Sequence, residues 1–141
     1  MAGKPQHWIL KSEPSTYGFG QLVKDGRTEW SGIRNFAARL HLRAAKEGDL
    51  ALFFHTGDEK AVVGVAKLTS GPRKDATAPG EDWTSVEIAP VKALAVSVPL
   101  ATLKAQKVFA DLPMLKQGRL SVSPISPAQF AAVLKLGKTT L

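Results

Sequence analysis

RTEWSGIRNFAARLHLRAAKEGD, running from Arg27 to Asp49, is the stretch around which the rest of the chain is read. Trp30 is followed by the turn signal Ser31-Gly32, then by Arg34 and Asn35. Asn35 is a good N-cap for a helix from Phe36 to about Lys46, which Gly48 ends. On that helix Phe36, Leu40 and Ala44 recur at i, i+4 and i+8 and are expected to face the core. Arg39, Arg43 and Lys46 form a basic stripe beside them, either a solvated face or a contact for a nucleic-acid backbone. A flat aromatic, a tight turn and directed hydrogen-bonding groups so close together suggest the wall of a pocket for a flat ligand, with a nucleobase as first candidate.

Upstream, His7-Trp8-Ile9-Leu10-Lys11-Ser12 reads as a strand with Trp8 and Leu10 on one face and Ile9 and Lys11 on the other. Glu13-Pro14 ends it. Ser15 or Thr16 is placed to cap a short helix from Tyr17 to Lys24, weakened by Gly18 and Gly20. Downstream, Asp49 to His55 is apolar on both faces and reads as a central strand. Thr56 to Lys60 makes a turn, and Ala61 to Leu68 returns as the second arm of a hairpin. Gly64 inside that arm signals a bulge or the close approach of another group. Ser70 to Asp82 is a polar loop, and Trp83 to Leu94 a third long strand in which Pro90 marks a bulge or an edge. Two short helical turns follow, at Pro99–Gln106 and Ala110–Gln117. Gln117 to Ile125 is a last strand. Ser126-Pro127 starts a final helix with Phe130, Val133 and Leu134 on its core face, closed by Gly137. This order describes an α+β fold built on a small, mostly antiparallel β-barrel surrounded by short helices.

With 141 residues, 44% apolar, the chain is expected to form one domain, 1–141, with a real core. It has no cysteine, which excludes disulfides and thiolate chemistry. No apolar run approaches the roughly 20 residues of a membrane helix, and the first residues lack a signal-peptide pattern. A soluble, cytoplasmic, monomeric protein without membrane contact is the expectation. The net charge of +7 points to polyanionic partners, nucleic acid first. No cofactor is expected, since no phosphate-binding glycine motif is present. Nor is a metal, since His7, His41 and His55 share no ligand-like spacing.

A base-binding pocket needs a stacking surface and donors and acceptors for the base edge. Trp30, beside Ser31-Gly32, is the aromatic expected to be exposed in a loop. Read from composition alone, however, Trp30 plugs a barrel end sooner than it walls a pocket, and Asn35 is a helix cap. Arg34 and Arg119 can read a phosphate or a base edge bidentately, or form surface ion pairs.

Taken together, WILKSEPSTYGF, TEWSGIRNFAARLHLRAAKEGDLALFFH, VVGVAKL and KQGRLSVSPIS resemble the signature blocks of the EVE domain family, in the family's order, from about Trp8 to Leu134. The resemblance implies a PUA-like fold, related to YTH and ASCH domains. It also implies a non-enzymatic reader of a modified base, 5-methylcytosine or an oxidised form. By resemblance the pocket uses Lys11 and Ser12, Trp30 as an aromatic wall, and Arg34 and Asn35 as polar readers. Phe54 and His55 line it from the hairpin, and Arg119, Ser121 and Ser123 from the late strand. Phe54 stands where many relatives carry tyrosine, so any hydrogen bond from that hydroxyl is lost here. Two other classes remain in view: an enzyme on a nucleotide or modified base using Glu13, His55 or Lys11, and a protein-binding adaptor using the Ser70–Asp82 loop.

Overall fold

A computed structural model describes residues 7–30, 41, 44–74, 84–116 and 121–141 of the chain. In chain order the elements are β1 (His7–Ser12), α1 (Pro14–Tyr17), α2 (Phe19–Asp25), β2 (Thr28–Trp30), β3 (Leu50–His55), β4 (Ala61–Leu68), β5 (Arg73–Lys74) and β6 (Thr84–Pro99). Then come α3 (Leu100–Ala105), a 3-10 turn (Lys107–Phe109), α4 (Pro113–Lys116), β7 (Val122–Ile125) and α5 (Pro127–Leu136). Six strands form a mixed sheet in the order β2-β6-β4-β3-β1-β7 that curls into a half-barrel, and β5 pairs with β6 off this path. All pairs are antiparallel except β1 with β3.

The central position of β3 follows from its composition. LALFFH carries apolar groups on both faces, and four of its six residues are buried. Strand alternation then builds two cores. Inside the curl, Trp8, Leu10, Phe53, Val86, Ile88 and Val122 pack with Phe19 and Leu22 of α2 and with Trp30. On the outer face, Ile9, Leu52, Phe54, Val62, Val65 and Ile125 pack under α3, α4 and α5, through Leu103, Met114, Phe130 and Val133. Gly64 lies in β4 because Phe19 lies against it: a Cβ built there would be 2.5 Å from Phe19 Cζ.

The long β6 pairs with β4 and, at its start, with β2 and β5. Farther along, the segment after α5 covers its other edge: Val96 N donates to Gly137 O at 3.1 Å and Ala95 N to Thr139 Oγ1 at 2.8 Å. Such cover removes an edge open to intermolecular pairing. The expected strands at 7–12 and 61–68 agree with β1 and β4, and β3 differs by one residue.

Several expectations are corrected. The single helix from Tyr17 to Lys24 is two helices broken at Gly18, and α1 is capped by Glu13, whose side chain accepts from Ser15 N. Trp30 ends a strand of its own and is 8% exposed, not displayed in a loop. Of the helix from Phe36 to Lys46, only His41 and Ala44 are described as helical, and Lys46 lies beyond the helix. There Ala44 is exposed and Ala45, 2% exposed, takes the core position. Pro90 pairs with Ala66 next to a register shift, as its position in β6 led one to expect.

Candidate nucleic-acid interface

The end of β1 is a junction. Lys11 and Ser12 lie beside Phe54 and His55 of β3, and Lys11 N donates to Ser121 O at 2.9 Å. Ser12 Oγ donates to the carbonyl of Tyr17, tying β1 to α1. The His55 ring ties β3 to α2: Phe19 N donates to Nε2 at 2.9 Å, so Nε2 carries no proton. Nδ1 is 2.6 Å from Glu59 Oε1 and is therefore the protonated nitrogen of a neutral ring. Both ring nitrogens are thus engaged in holding local structure. Glu13 is engaged likewise, accepting from Ser15 N and, at 3.5 Å, from Thr56 Oγ1.

Alternation along the strands divides the expected site. Trp30, Ser12 and His55 belong to the inside of the curl: Trp30 and the His55 ring both meet Phe53 edge to face, with centroids 5.6 and 5.8 Å away. Phe54 belongs to the outer core, and Lys11 Nζ stands 5.9 Å above its ring. Burial lowers the pKa of that ammonium, because the charged form loses hydration. Ser123 pairs with Ile9 and is 1% exposed, so it too lies on the outer side, where its Oγ donates to Pro124 O. Ser121, two residues earlier, has the same parity. Arg34, Asn35, Arg39, Arg43 and Arg119 lie outside the described residues. Lys46 is exposed, and its backbone N donates to Asp49 Oδ2 at 2.8 Å.

On the inner side Trp30 carries an unusual feature. Its Nε1 is buried and has no hydrogen-bond partner among the described residues. A buried N–H left without an acceptor is costly, and such groups are rare in native proteins. By contrast, the other buried indole among the described residues, Trp8, donates to the carboxylate of Asp49 at 2.8 Å. Asp49 is 1% exposed and so binds the start of β3 to β1. Its role was missed at the level of sequence, where Asp49 reads only as the first residue of the expected central strand.

A half-open cavity of about 190 Å³ lies on the outer side. Lys11 and Phe54 line it, joined by Lys60, Lys104, Met114 and Leu115, which sequence patterns did not single out. Lys104 reaches it because the start of β4 pairs with the end of β6, Ala61 opposite Pro99, which brings α3 alongside the hairpin turn.

Comparison with known proteins places this geometry. The sequence pattern of the EVE domain matches residues 6–136. A protein of known structure from Rhodopseudomonas palustris is 35% identical, with TM-score 0.88, covering 94% of this chain and 93% of its own. Human thymocyte nuclear protein 1 is 27% identical over 92% of this chain and 73% of its own length. Its structure in complex with DNA containing 5-methylcytosine superposes with TM-score 0.89 at 26% identity, covering 96% of this chain and 99% of that one. The YTH domain of Zygosaccharomyces rouxii MRB1, at 19% identity and TM-score 0.64 over 100% of this chain and 92% of that one, shares the fold.

Proposed function

That this chain belongs to the EVE domain family is the premise from which we propose its function: it binds nucleic acid, without catalysis, by reading a modified base. The observation that carries the proposal is the likeness, across nearly both whole chains, to a human protein solved on DNA containing 5-methylcytosine. The net charge of +7 supports the same reading, since phosphate neutralisation supplies much of the affinity for nucleic acid.

In this proposal the target base leaves its stack and enters beside Trp30. The indole borders the pocket, and its buried Nε1–H, without an acceptor among the described residues, supplies an in-plane donor for a base carbonyl. Arg34 and Asn35 follow Trp30 closely in sequence and read the remaining polar edge, with Arg119 as a further reader. Arg39, Arg43 and Lys46 hold the backbone. Lys11, Ser12, Phe54, His55, Ser121 and Ser123 act mainly by shaping this end of the sheet. His55 in particular holds α2 through Nε2 and Glu59 of the hairpin turn through Nδ1, and contributes no free group to the base.

The test is fluorescence anisotropy of labelled oligonucleotides, DNA and RNA, with and without 5-methylcytosine. Trp30→Phe keeps an aromatic ring in the core while removing the N–H together with the five-membered ring that carries it. It is expected to fold cooperatively and to bind the modified oligonucleotide about tenfold more weakly, the scale of one hydrogen bond. Equal affinity of the parent protein for modified and unmodified strands would refute the base-reading proposal. Unchanged affinity in the variant would remove Trp30 Nε1 from it.

A further inference from the structure

We infer that Glu59, in the turn between β3 and β4, is a positioning residue for the base-reading site. It fixes the tautomer of His55, and through that ring the seating of α2 against Phe53 and Trp30. Its effect on binding rests on the base-reading proposal; the contacts that carry it do not.

The relay begins with a helix that does not cap itself. Gly18 is the N-cap of α2, and no side-chain hydrogen bond closes that end. The first N–H groups of a helix then need acceptors from elsewhere. His55 Nε2 takes that place, accepting from Phe19 N at 2.9 Å across 36 residues of sequence. The ring does so only while Nε2 is free of a proton. Which nitrogen of a neutral imidazole carries the proton is set by the bond that the other nitrogen makes. Here that bond is to Glu59, whose Oε1 is 2.6 Å from Nδ1. Without it the proton is free to settle on Nε2, which then meets the Phe19 N–H donor to donor.

The turn holds Glu59 in place. Gly57, φ 77°, and Lys60, φ 45°, give it its tight course. Thr56 N donates to Ser12 O at 2.9 Å and Leu100 N to Lys60 O at 2.8 Å, so both ends of the turn are tied to neighbouring elements. Beyond His55, Phe53 carries the effect inward. It is 0% exposed, and the rings of Phe19, Trp30 and His55 meet it edge to face with centroids 5.5, 5.6 and 5.8 Å away. The first turn of α2 is the two-state element of this relay, seated when Nε2 accepts and released when it does not.

NMR of the intact ¹⁵N-labelled protein tests this, reading the His55 tautomer, the Phe19 amide and the Trp30 indole. The chain has three histidines and three tryptophans, and His55→Gln and Trp30→Phe assign the two side-chain signals. The Glu59 side chain is 45% exposed, so replacing it leaves the core intact. Glu59→Ala is expected to move the proton to Nε2, to speed hydrogen exchange at the Phe19 amide and to shift the Trp30 indole signal. It should also weaken binding of the 5-methylcytosine oligonucleotide about fivefold, the scale of one helix cap. Glu59→Gln keeps an acceptor for Nδ1–H and should restore all four readings. If Glu59→Gln behaves as Glu59→Ala does, or if both bind every oligonucleotide more tightly, Glu59 acts by its charge and the inference falls. An unmoved tautomer in Glu59→Ala overturns it too, as do Phe19 and Trp30 signals indifferent to the tautomer. If tautomer, Phe19 and Trp30 respond together while the parent protein fails to discriminate modified strands, base reading is refuted and the relay stands.

Discussion

Trp8 and Trp30 show how one residue type takes two roles through its partners. Trp8 Nε1 has the carboxylate of Asp49, and the pair fastens β1 to the start of β3. Trp30 Nε1 has no acceptor among the described residues, which is why it, and not Trp8, stands in the proposed reading site. Among the described glycines, Gly64 is the one at which packing leaves least room. A methyl group there meets the Phe19 ring at 2.5 Å, inside β4 and against a buried aromatic. Gly64→Ala is therefore expected to destabilise the protein by roughly 1–3 kcal/mol, the usual cost of overpacking. A lowered urea midpoint at constant slope would show it. An unchanged midpoint would mean that α2 moves aside freely. The sequence pointed to this crowding through a glycine inside a strand pattern, but it could not name Phe19 as the neighbour.

Element ends decide how the outer helices attach. Ser126 and Gln129 form a reciprocal capping box at the start of α5, with Gln129 N donating to Ser126 Oγ and Ser126 N to Gln129 Oε1, both at 3.1 Å. Ser126-Pro127 made the helix start readable from sequence. Gln129 does more than cap: its Nε2 donates to Val108 O at 2.9 Å and to Asp111 Oδ1 at 2.8 Å, joining α5 to the 3-10 turn. Ser126→Ala should cost about 1 kcal/mol, a single cap. Gln129→Ala should cost more, roughly 2 kcal/mol, because it also strands buried partners on another element. Equal losses in thermal or urea unfolding would reduce Gln129 to a capping residue. The sequence concealed β2, since three residues next to a turn carry too little periodicity to register as a strand.

At the scale of the whole molecule, two dependences on solution conditions follow. Burial lowers the pKa of both His7 and His41 below the ordinary 6.5, against a smaller opposing effect of Asp49 on His7. The unfolded chain then binds more protons than the folded one as pH falls below that value. Stability is fully present above pH 6.5 and falls as pH drops through the lowered values. The urea midpoint should decline between about pH 7.5 and 5.5, and a His7→Gln, His41→Gln double variant should flatten that decline. A profile unchanged by the double variant would place the titration elsewhere. Oligonucleotide affinity should fall steeply with salt, linearly in logarithmic terms, as counterion release requires. A flat dependence would show that the +7 charge does not meet phosphate. The sequence by itself determined the α+β class with a mostly antiparallel, barrel-like sheet, the central place of β3, the cap of α5 and the family blocks, because periodicity and capping are local properties of the chain. Only the tertiary structure decided which expected site residues share a face. Curling a sheet sends neighbours such as Phe53 and Phe54 to opposite cores, and pairing β4 with β6 brings Lys104 to Lys11. Those juxtapositions come from register between strands far apart in sequence, which no local pattern encodes.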